Sequence, residues 1–448
     1  MLQIGVVADD FTGTASAGMM MAKANVKTGL FLNAETMFGN QEAKELEAIY
    51  VSTSSRALPP ENAYEEVKKA TLALKKAGAR YFSKKIDTTM RGGIGHEVDA
   101  MLDVLGEDVV AVMVTSMPPS RRICVGGYSI IDSVILNETS VAQDVKTPVA
   151  ECYVPAIIEK QTKRKVDLIP ITVVQRGIEA LKQALEKSRQ AGTQFFILDA
   201  ASMDHEETIA RACVELKWNI LAVDPGAFTM KLAVTRGIAS ETAPQQESSE
   251  EPAAGKAVLI IAGSANPYTK KQMELLLRAE PESVRISVSP NRLLEDGEAH
   301  SLEVEQTAAK LRDILSAPDV PKVLLVETAL HDSLVNLKEE DEKHGYAPGE
   351  SSARINRGLA EIADQVLRGF GKERIAGLLL TGGDTMESVC KMIGTTYIRA
   401  IDNIVPQIDV GRLAGAYDGM PVVVKGGFCG YDEVGIDIVN RILLEANR

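Results

Sequence analysis

Residues 3–18 read QIGVVADDFTGTASAG. An apolar run of strand length, QIGVVA, ends on two adjacent carboxylates, Asp9 and Asp10. A Thr12-Gly13 turn follows, then a helix-like stretch rich in Ala, Gly and Met near 14–25. Strand, turn and helix in that order form the repeating unit of a layered α/β protein. The unit recurs through the first half of the chain. Strands are predicted near 3–8, 27–32, 48–52, 80–83, 109–115, 167–171, 194–199 and 220–223, and helices near 14–25, 60–77, 94–105, 175–191 and 204–217. Residues 241–256, ETAPQQESSEEPAAGK, then break the pattern: acidic, polar and without apolar periodicity, they have the composition of a linker. Beyond them the alternation restarts, with strands near 257–262, 284–288, 322–327, 375–380 and 421–425 and helices near 267–280, 302–316, 352–369, 384–394 and 433–446. The charged, turn-rich segment 338–352 reads as an exposed loop. The fold predicted is two α/β domains with largely parallel sheets, residues 1–240 and 257–448, joined by the 241–256 linker.

Composition bounds the function. With 448 residues, 45% hydrophobic and 25% charged, the chain can build two or three globular cores and is not expected to be disordered or fibrous. No apolar run approaches the roughly 18 residues of a membrane-spanning helix. The N-terminus enters a strand at once, so no signal peptide is expected. A net charge of −13 repels a polyanion, which argues against nucleic acid as a partner. The five cysteines are scattered and odd in number, with no Cys-x-x-Cys pair. They point to a reducing cytoplasm and away from a disulfide framework or structural zinc. Five scattered histidines offer no metal cage.

Ligands of open α/β sheets bind beyond the carboxyl ends of the strands, so the residues after each strand carry the chemistry. Asp9 and Asp10 stand before a helix start. One reading has them accept hydrogen bonds from substrate hydroxyls, or one act as a base; the other has one cap the helix. Residues 84–95, KKIDTTMRGGIG, put two lysines, an aspartate, two threonines, an arginine and three glycines at another strand end. Lys85 and Arg91 can hold a carboxylate beside hydroxyl-reading Asp87 and Thr88; the alternative is a charged surface turn. Arg56, after the strand near 48–52, is a further candidate anion ligand, the alternative being a structural arginine. Thr115–Arg122, leading to Gly126-Gly127, reads as a lid or a phosphate-side loop.

The second half has three glycine turns after three strands. They are Gly263-Ser264-Ala265-Asn266-Pro267, Thr381-Gly382-Gly383-Asp384-Thr385 and Lys425-Gly426-Gly427-Phe428. Such turns present N–H groups to phosphates. None has the spacing of a Walker loop or a dinucleotide-binding turn. One domain is thus suited to a small polyhydroxylated anion and the other to a nucleotide, a layout that fits phosphoryl transfer across an interdomain cleft.

The motifs resemble those of the four-carbon acid sugar kinase family. ADDFTGTASAG is similar to its opening motif, KKIDTTMRGGIGHEVDAML to its Lys-x-Asp-Ser-Thr motif, and Pro118 through Gly127 to its proline-rich loop. IAGSANPYTKKQ, LTGGDT and GRLAGAYDGMPVVVKGGFCG are similar to its nucleotide-binding domain. The chain differs from the pattern at Ser16, at Thr88 and in residues 116–124, which lack a Gly-Arg-Thr run. The resemblance implies ATP and Mg2+ as cofactors and a small sugar acid of the threonate, erythronate or 3-oxo-tetronate type as substrate. It implies sugar-acid binding by Asp9, Asp10, Arg56, Lys85, Asp87 and Thr88, and ATP binding by Ser264, by Thr381, Gly382, Gly383, Asp384 and Thr385, and by Gly426 and Gly427 beside Lys425. Asp10, Asp87 and Asp384 are the candidates for the catalytic base. The competing readings are a kinase of another small polyol acid and a non-catalytic binding protein on the same fold.

Overall fold

The computed structural model describes residues 1–37, 42–144, 147–240, 251–330 and 334–448. The chain divides into two compact units, Met1–Pro244 and Gln245–Arg448. Of the expected linker, residues 241–250 lie outside the described residues. Its last part belongs to the second unit, where Ala253 is buried and its amide donates to the Leu443 carbonyl at 3.0 Å.

The strands of the first unit are β1 (Ile4–Ala8), β2 (Thr28–Phe31), β3 (Ala48–Ser52), β4 (Tyr81–Lys85), β5 (Val110–Met113), β6 (Arg122–Val125), β7 (Tyr128–Ile131), β8 (Val134–Ile135), β9 (Val166–Ile169), β10 (Phe195–Leu198) and β11 (Ile220–Asp224). Its helices are α1 (Phe11–Lys23), α2 (Pro60–Ala77), α3 (Ile94–Leu105), α4 (Val154–Glu159), α5 (Ile171–Val174), α6 (Ile178–Gln190), α7 (Met203–Leu216) and α8 (Ala227–Thr235). Eight strands form a parallel sheet in the order β2-β3-β1-β4-β11-β5-β10-β9. Every residue of β1, β3, β5, β10 and β11 is buried, as expected of strands covered by helices on both faces. β6, β7 and β8 form a separate antiparallel sheet.

The strand order locates the crevice. From β1 the chain crosses to β2 on one side, whereas from β4 it crosses to β5 on the other. The carboxyl ends of β1 and β4 are therefore the topological switch point, where such sheets open to ligands. Register brings the ends level: Ala8 pairs with Ser52 of β3 and Lys85 of β4, and Lys85 with Asp224 of β11.

The second unit repeats the plan with β12 (Ala257–Ala262), β13 (Val284–Ser287), β14 (Val323–Glu327), β15 (Ile375–Thr381), β16 (Thr395–Val405), β17 (Ile408–Gly415) and β18 (Pro421–Lys425). Its helices are α9 (Pro267–Ala279), α10 (Pro290–Leu294), α11 (Glu298–Ser316), α12 (Leu337–His344), α13 (Glu350–Arg374), α14 (Gly383–Met392) and α15 (Val434–Glu445). The order is β13-β14-β12-β15-β18-β17-β16, with the switch between β12 and β15. The first five are parallel; β17 pairs antiparallel with β18, and β16 antiparallel with β17.

Two readings are corrected. The β16–β17 hairpin was not foreseen. Its first strand, TTYIRAIDNIV, mixes charges with apolar residues and carries register shifts, so its alternation is broken. Residues 338–352 are not an exposed loop. Asn336 caps α12, Glu339 and Glu340 lie in its first turn, Lys343 and His344 in its last, and Gly345 ends it. These charges suit the helix dipole, which stands in for the missing apolar stripe. Buried Asp341 then accepts from the Gly349 and Ser351 amides at 2.7 and 2.8 Å, which starts α13.

Candidate active site

At the switch point of the first unit, three strand ends deliver six charged side chains. β1 leads into Asp9 and Asp10, β3 into Arg56, and β4 into Lys85, Asp87 and Arg91. Asp9 is buried and accepts a fork from Arg56, Nε to Oδ2 at 2.8 Å and Nη2 to Oδ1 at 3.0 Å. Arg56 also pairs with Asp10 Oδ1 at 2.8 Å. That oxygen accepts from the Gly13 amide at 2.9 Å and stands 3.7 Å from Lys85 Nζ. Asp10 is thus the cap of α1 and a member of the charged cluster at once. Its Oδ2 takes no partner among the described residues. Asp87 accepts from Arg91 Nε at 2.6 Å and from the Thr89 hydroxyl. Arg91 reaches on to Asp144 at 3.3 Å. Thr88 is half-buried next to Asp87.

The charges set one another. Burial alone would raise the Asp9 carboxyl, but Arg56, Lys84 and Lys85 outweigh it and hold the group below its ordinary value. Asp87 is likewise buried, and Arg56, Arg91 and Lys85 keep it well below the usual carboxylate range. Burial opposes the charge on Arg56, yet Asp9, Asp10 and Asp87 push its pKa upward. Asp9, Asp87 and Arg56 are thereby held in their charged forms. The cluster offers both signs to a ligand: cations for a carboxylate, carboxylates for hydroxyls.

Gly13 makes the arrangement possible. A Cβ there would lie 1.8 Å from Lys85 Nζ and 2.5 Å from Asp10 Oδ1. Gly13→Ala is therefore expected to displace the Lys85 ammonium. Binding of a small carboxylate ligand at this cluster should weaken roughly tenfold, the scale of one charged hydrogen bond, as calorimetry would measure.

In the second unit the three glycine turns converge. Ala262 pairs with Thr381 across β12 and β15, and Thr381 with Lys425 across β15 and β18, so the turns begin level. A Cβ on Gly263 would come within 2.2 Å of Thr385 Oγ1, and one on Gly427 within 3.0 Å of Ser264 Oγ. Gly382, at φ 102°, precedes α14, whose N-terminus has no side-chain cap. Asp384 is exposed on its first turn. The Thr385 hydroxyl donates to Asn356 Oδ1 at 2.7 Å, tying α14 to α13. The Lys425 side chain is fully buried, with the Gly426 carbonyl at 2.9 Å and Thr269 Oγ1 at 3.5 Å as partners. Burial lowers its pKa to about 8, with Cys429 opposing. Lys425 thus supports its turn from beneath rather than standing open to solvent.

Several residues central to this geometry escaped the sequence reading. Lys84 and Glu97 form an ion pair at 2.8 Å, both fully buried or nearly so. The one available signal was an acid on the apolar stripe of α3, between Ile94 and Met101. Asp224, level with Lys85, accepts from the Gly226 and Thr229 amides at 2.8 and 3.0 Å and holds the start of α8. Asp199, buried, accepts from the Gly126 and Gly127 amides at 2.6 and 2.9 Å, and so ties the β6–β7 turn to the end of β10.

Comparison with known proteins accords with this division of charges and turns. The family model of a sugar-binding N-terminal domain matches residues 4–232, and that of a nucleotide-binding C-terminal domain matches residues 259–434. A D-erythronate kinase of Heliobacterium modesticaldum is 33% identical over 99% of this chain and 98% of its own. A D-threonate kinase of Salmonella typhimurium is 27% identical over 98% of this chain and 97% of its own. A 3-oxo-tetronate kinase of Brucella melitensis is 24% identical over 92% of this chain and 88% of its own. A solved Haemophilus influenzae structure shares the fold, with a TM-score of 0.73 at 21% identity over 99% of both chains. The chain thus joins a sugar-binding to a nucleotide-binding domain. It belongs to the four-carbon acid sugar kinase family. Among the described residues no helix is long and apolar enough to cross a membrane.

Proposed function

We propose that the protein transfers the γ-phosphate of ATP to a hydroxyl of a four-carbon sugar acid of the threonate, erythronate or 3-oxo-tetronate type. The observation that carries this reading is the cluster of Asp9, Asp10, Arg56, Lys85, Asp87 and Arg91 at the switch point of a sugar-binding domain. Residues 1–240 hold the acid and residues 257–448 hold ATP. Lys85 and Arg56 take the substrate carboxylate, while Asp87 and Thr88 take hydroxyls. Ser264, the 381–385 turn and the Gly426-Gly427 turn cradle the phosphates, with Lys425 fixing the last turn.

The acceptor hydroxyl attacks the γ-phosphate in line, and its proton passes to Asp10 Oδ2, the unpartnered carboxylate oxygen of the cluster. Asp87 is a poorer base, because Arg91 and Thr89 occupy it and its pKa is depressed. Transfer requires the acceptor oxygen and the γ-phosphorus to approach to roughly 3–3.5 Å. Mg2+ would be held mainly by the phosphates, with one or two carboxylates completing its shell. Asp384, exposed beside the phosphate turns, suits that donor set, and a metal there would offset phosphate charge. Among the described residues no group of three or more acidic, His or Cys side chains offers a cage of its own. Five free cysteines and ATP use favour a cytoplasmic setting.

ADP release measured over a panel of four- to six-carbon sugar acids tests the reading. Turnover with a four-carbon acid, and none with neutral sugars, is expected; no release with any acid would overturn it. Lys85→Met should raise sugar-acid KM roughly 10- to 150-fold, the loss of a charged hydrogen bond worth about 1.5–3 kcal/mol, and leave ATP KM in place. The opposite split would mean that the ligands are assigned to the wrong domains.

A further inference from the structure

Beneath the charged cluster runs a second, largely buried polar array. Glu97 of α3 is 1% exposed. Its Oε1 accepts from the Ser55 hydroxyl at 2.6 Å, and its Oε2 pairs with Lys84 Nζ at 2.8 Å. Lys84 Nζ also donates to the Lys85 carbonyl at 2.8 Å. On the other side, Ser55 Oγ, its own proton given to Glu97, accepts from Thr53 Oγ1 at 2.7 Å, and the Thr53 amide donates to the Ala8 carbonyl at 2.9 Å. One continuous chain of hydrogen bonds therefore links Ala8, Thr53, Ser55, Glu97, Lys84 and Lys85. It joins the carboxyl ends of β1, β3 and β4. Three of these residues adjoin the cluster in sequence, Ala8 next to Asp9, Ser55 next to Arg56 and Lys84 next to Lys85, and Lys85 itself belongs to it.

A buried ion pair is weak evidence for stability, because desolvation offsets its attraction and apolar residues of similar size serve as well. What such a pair does supply is fixed geometry, since all members must be satisfied together. We infer that Glu97 is a positioning residue that, through Ser55 and Lys84, sets the backbone from which Arg56 and Lys85 reach the substrate. The inference rests on the sugar-acid reading of this site for its kinetic consequence, but not for its structural one. The guanidinium and ammonium have long side chains. Small shifts of their backbone move the charged ends apart, and the substrate carboxylate then meets one cation instead of two.

The test uses the full chain and two variants. Glu97→Gln keeps an acceptor for Ser55 but leaves Lys84 buried without a counter-charge, so a loss of stability there is expected and does not separate the roles. The double variant Lys84→Met with Glu97→Leu replaces the pair by apolar side chains and should fold with a melting temperature near that of the parent. In it, hydrogen exchange of the Thr53 and Arg56 amides, which bond to the Ala8 and Asp9 carbonyls, should quicken about tenfold or more, while amides of β10 stay as protected as before. Sugar-acid kcat/KM should fall roughly 10- to 100-fold, the cost of a sub-ångström misplacement, with ATP KM unchanged. A folded double variant with parental exchange at Thr53 and Arg56 would overturn the inference. So would parental sugar-acid kinetics. Absence of any sugar-acid turnover in the parent would sink the functional reading instead, and the exchange data would still decide the positioning role of Glu97.

Discussion

Asp10→Asn is expected to lower kcat by roughly 10²- to 10⁴-fold, the range for loss of a general base, with the fold intact. The amide oxygen of Asn can still accept from the Gly13 amide, so the α1 cap survives. On the proposed mechanism, what is lost is the proton acceptor at Oδ2 and a negative charge beside Arg56 and Lys85. With those two cations freer to bind the carboxylate the proposal assigns to them, sugar-acid KM should not rise in proportion. Asp87→Asn should behave differently. Asp87 organises Arg91 and Thr89, so its loss should appear largely in sugar-acid KM. The same measurement on Asp384→Asn decides between the domains. If that variant, and not Asp10→Asn, loses kcat at saturating MgATP, the base lies in the nucleotide-binding domain and Asp10 is a cap and charge partner only.

Arg56→Leu should have the largest effect on stability. It leaves Asp9 buried with its main counter-charge gone, and breaking a buried pair in this way costs about 3–5 kcal/mol. At about 2–4 °C per kcal/mol for a unit of this size, the first unit should melt roughly 6–20 °C lower by calorimetry. The pH dependence follows from the direction of the shifts. Asp9 and Asp87 have depressed pKa values in the folded protein. The stability they contribute is fully present above the unfolded carboxylate pKa of about 3.9, and it is lost as pH falls through the lower folded values. The parent should therefore hold its melting temperature from pH 7 down to about pH 5. In Arg56→Leu the Asp9 contribution shrinks or reverses, so that acid costs the variant less than the parent. A parallel decline of both proteins between pH 5 and pH 3 would show that Arg56 is not what depresses Asp9.

The alternation of short apolar strands with helices determines the α/β class, and local chemistry sets most element positions. β12 and β18 run over 257–262 and 421–425 as read, and α2 and α3 over 60–77 and 94–105. These segments combine strong periodicity with Pro or Gly boundaries, and both signals are local. The candidate residues at the strand ends were legible for the same reason: a charged or glycine-rich run directly after an apolar one marks the point where a buried strand emerges at the sheet edge. Where the local signal is mixed, as in β16, or replaced by charge and capping, as in α12, the reading failed. Identity of a residue type could not separate roles either. Lys84 and Lys85 are chemically equal neighbours in a string of letters. Alternation along β4 sends one to a fully buried partner in Glu97 and the other to the α1 cap. Which acids meet which bases was decided by strand order and register, because Arg56 reaches Asp9 only when β3 lies beside β1, and Lys85 reaches Asp10 only when β4 lies on its other side. Those pairings join residues some 47 and 75 positions apart. No local pattern encodes them: they arise when the parallel sheet closes its long crossovers and brings three strand ends level.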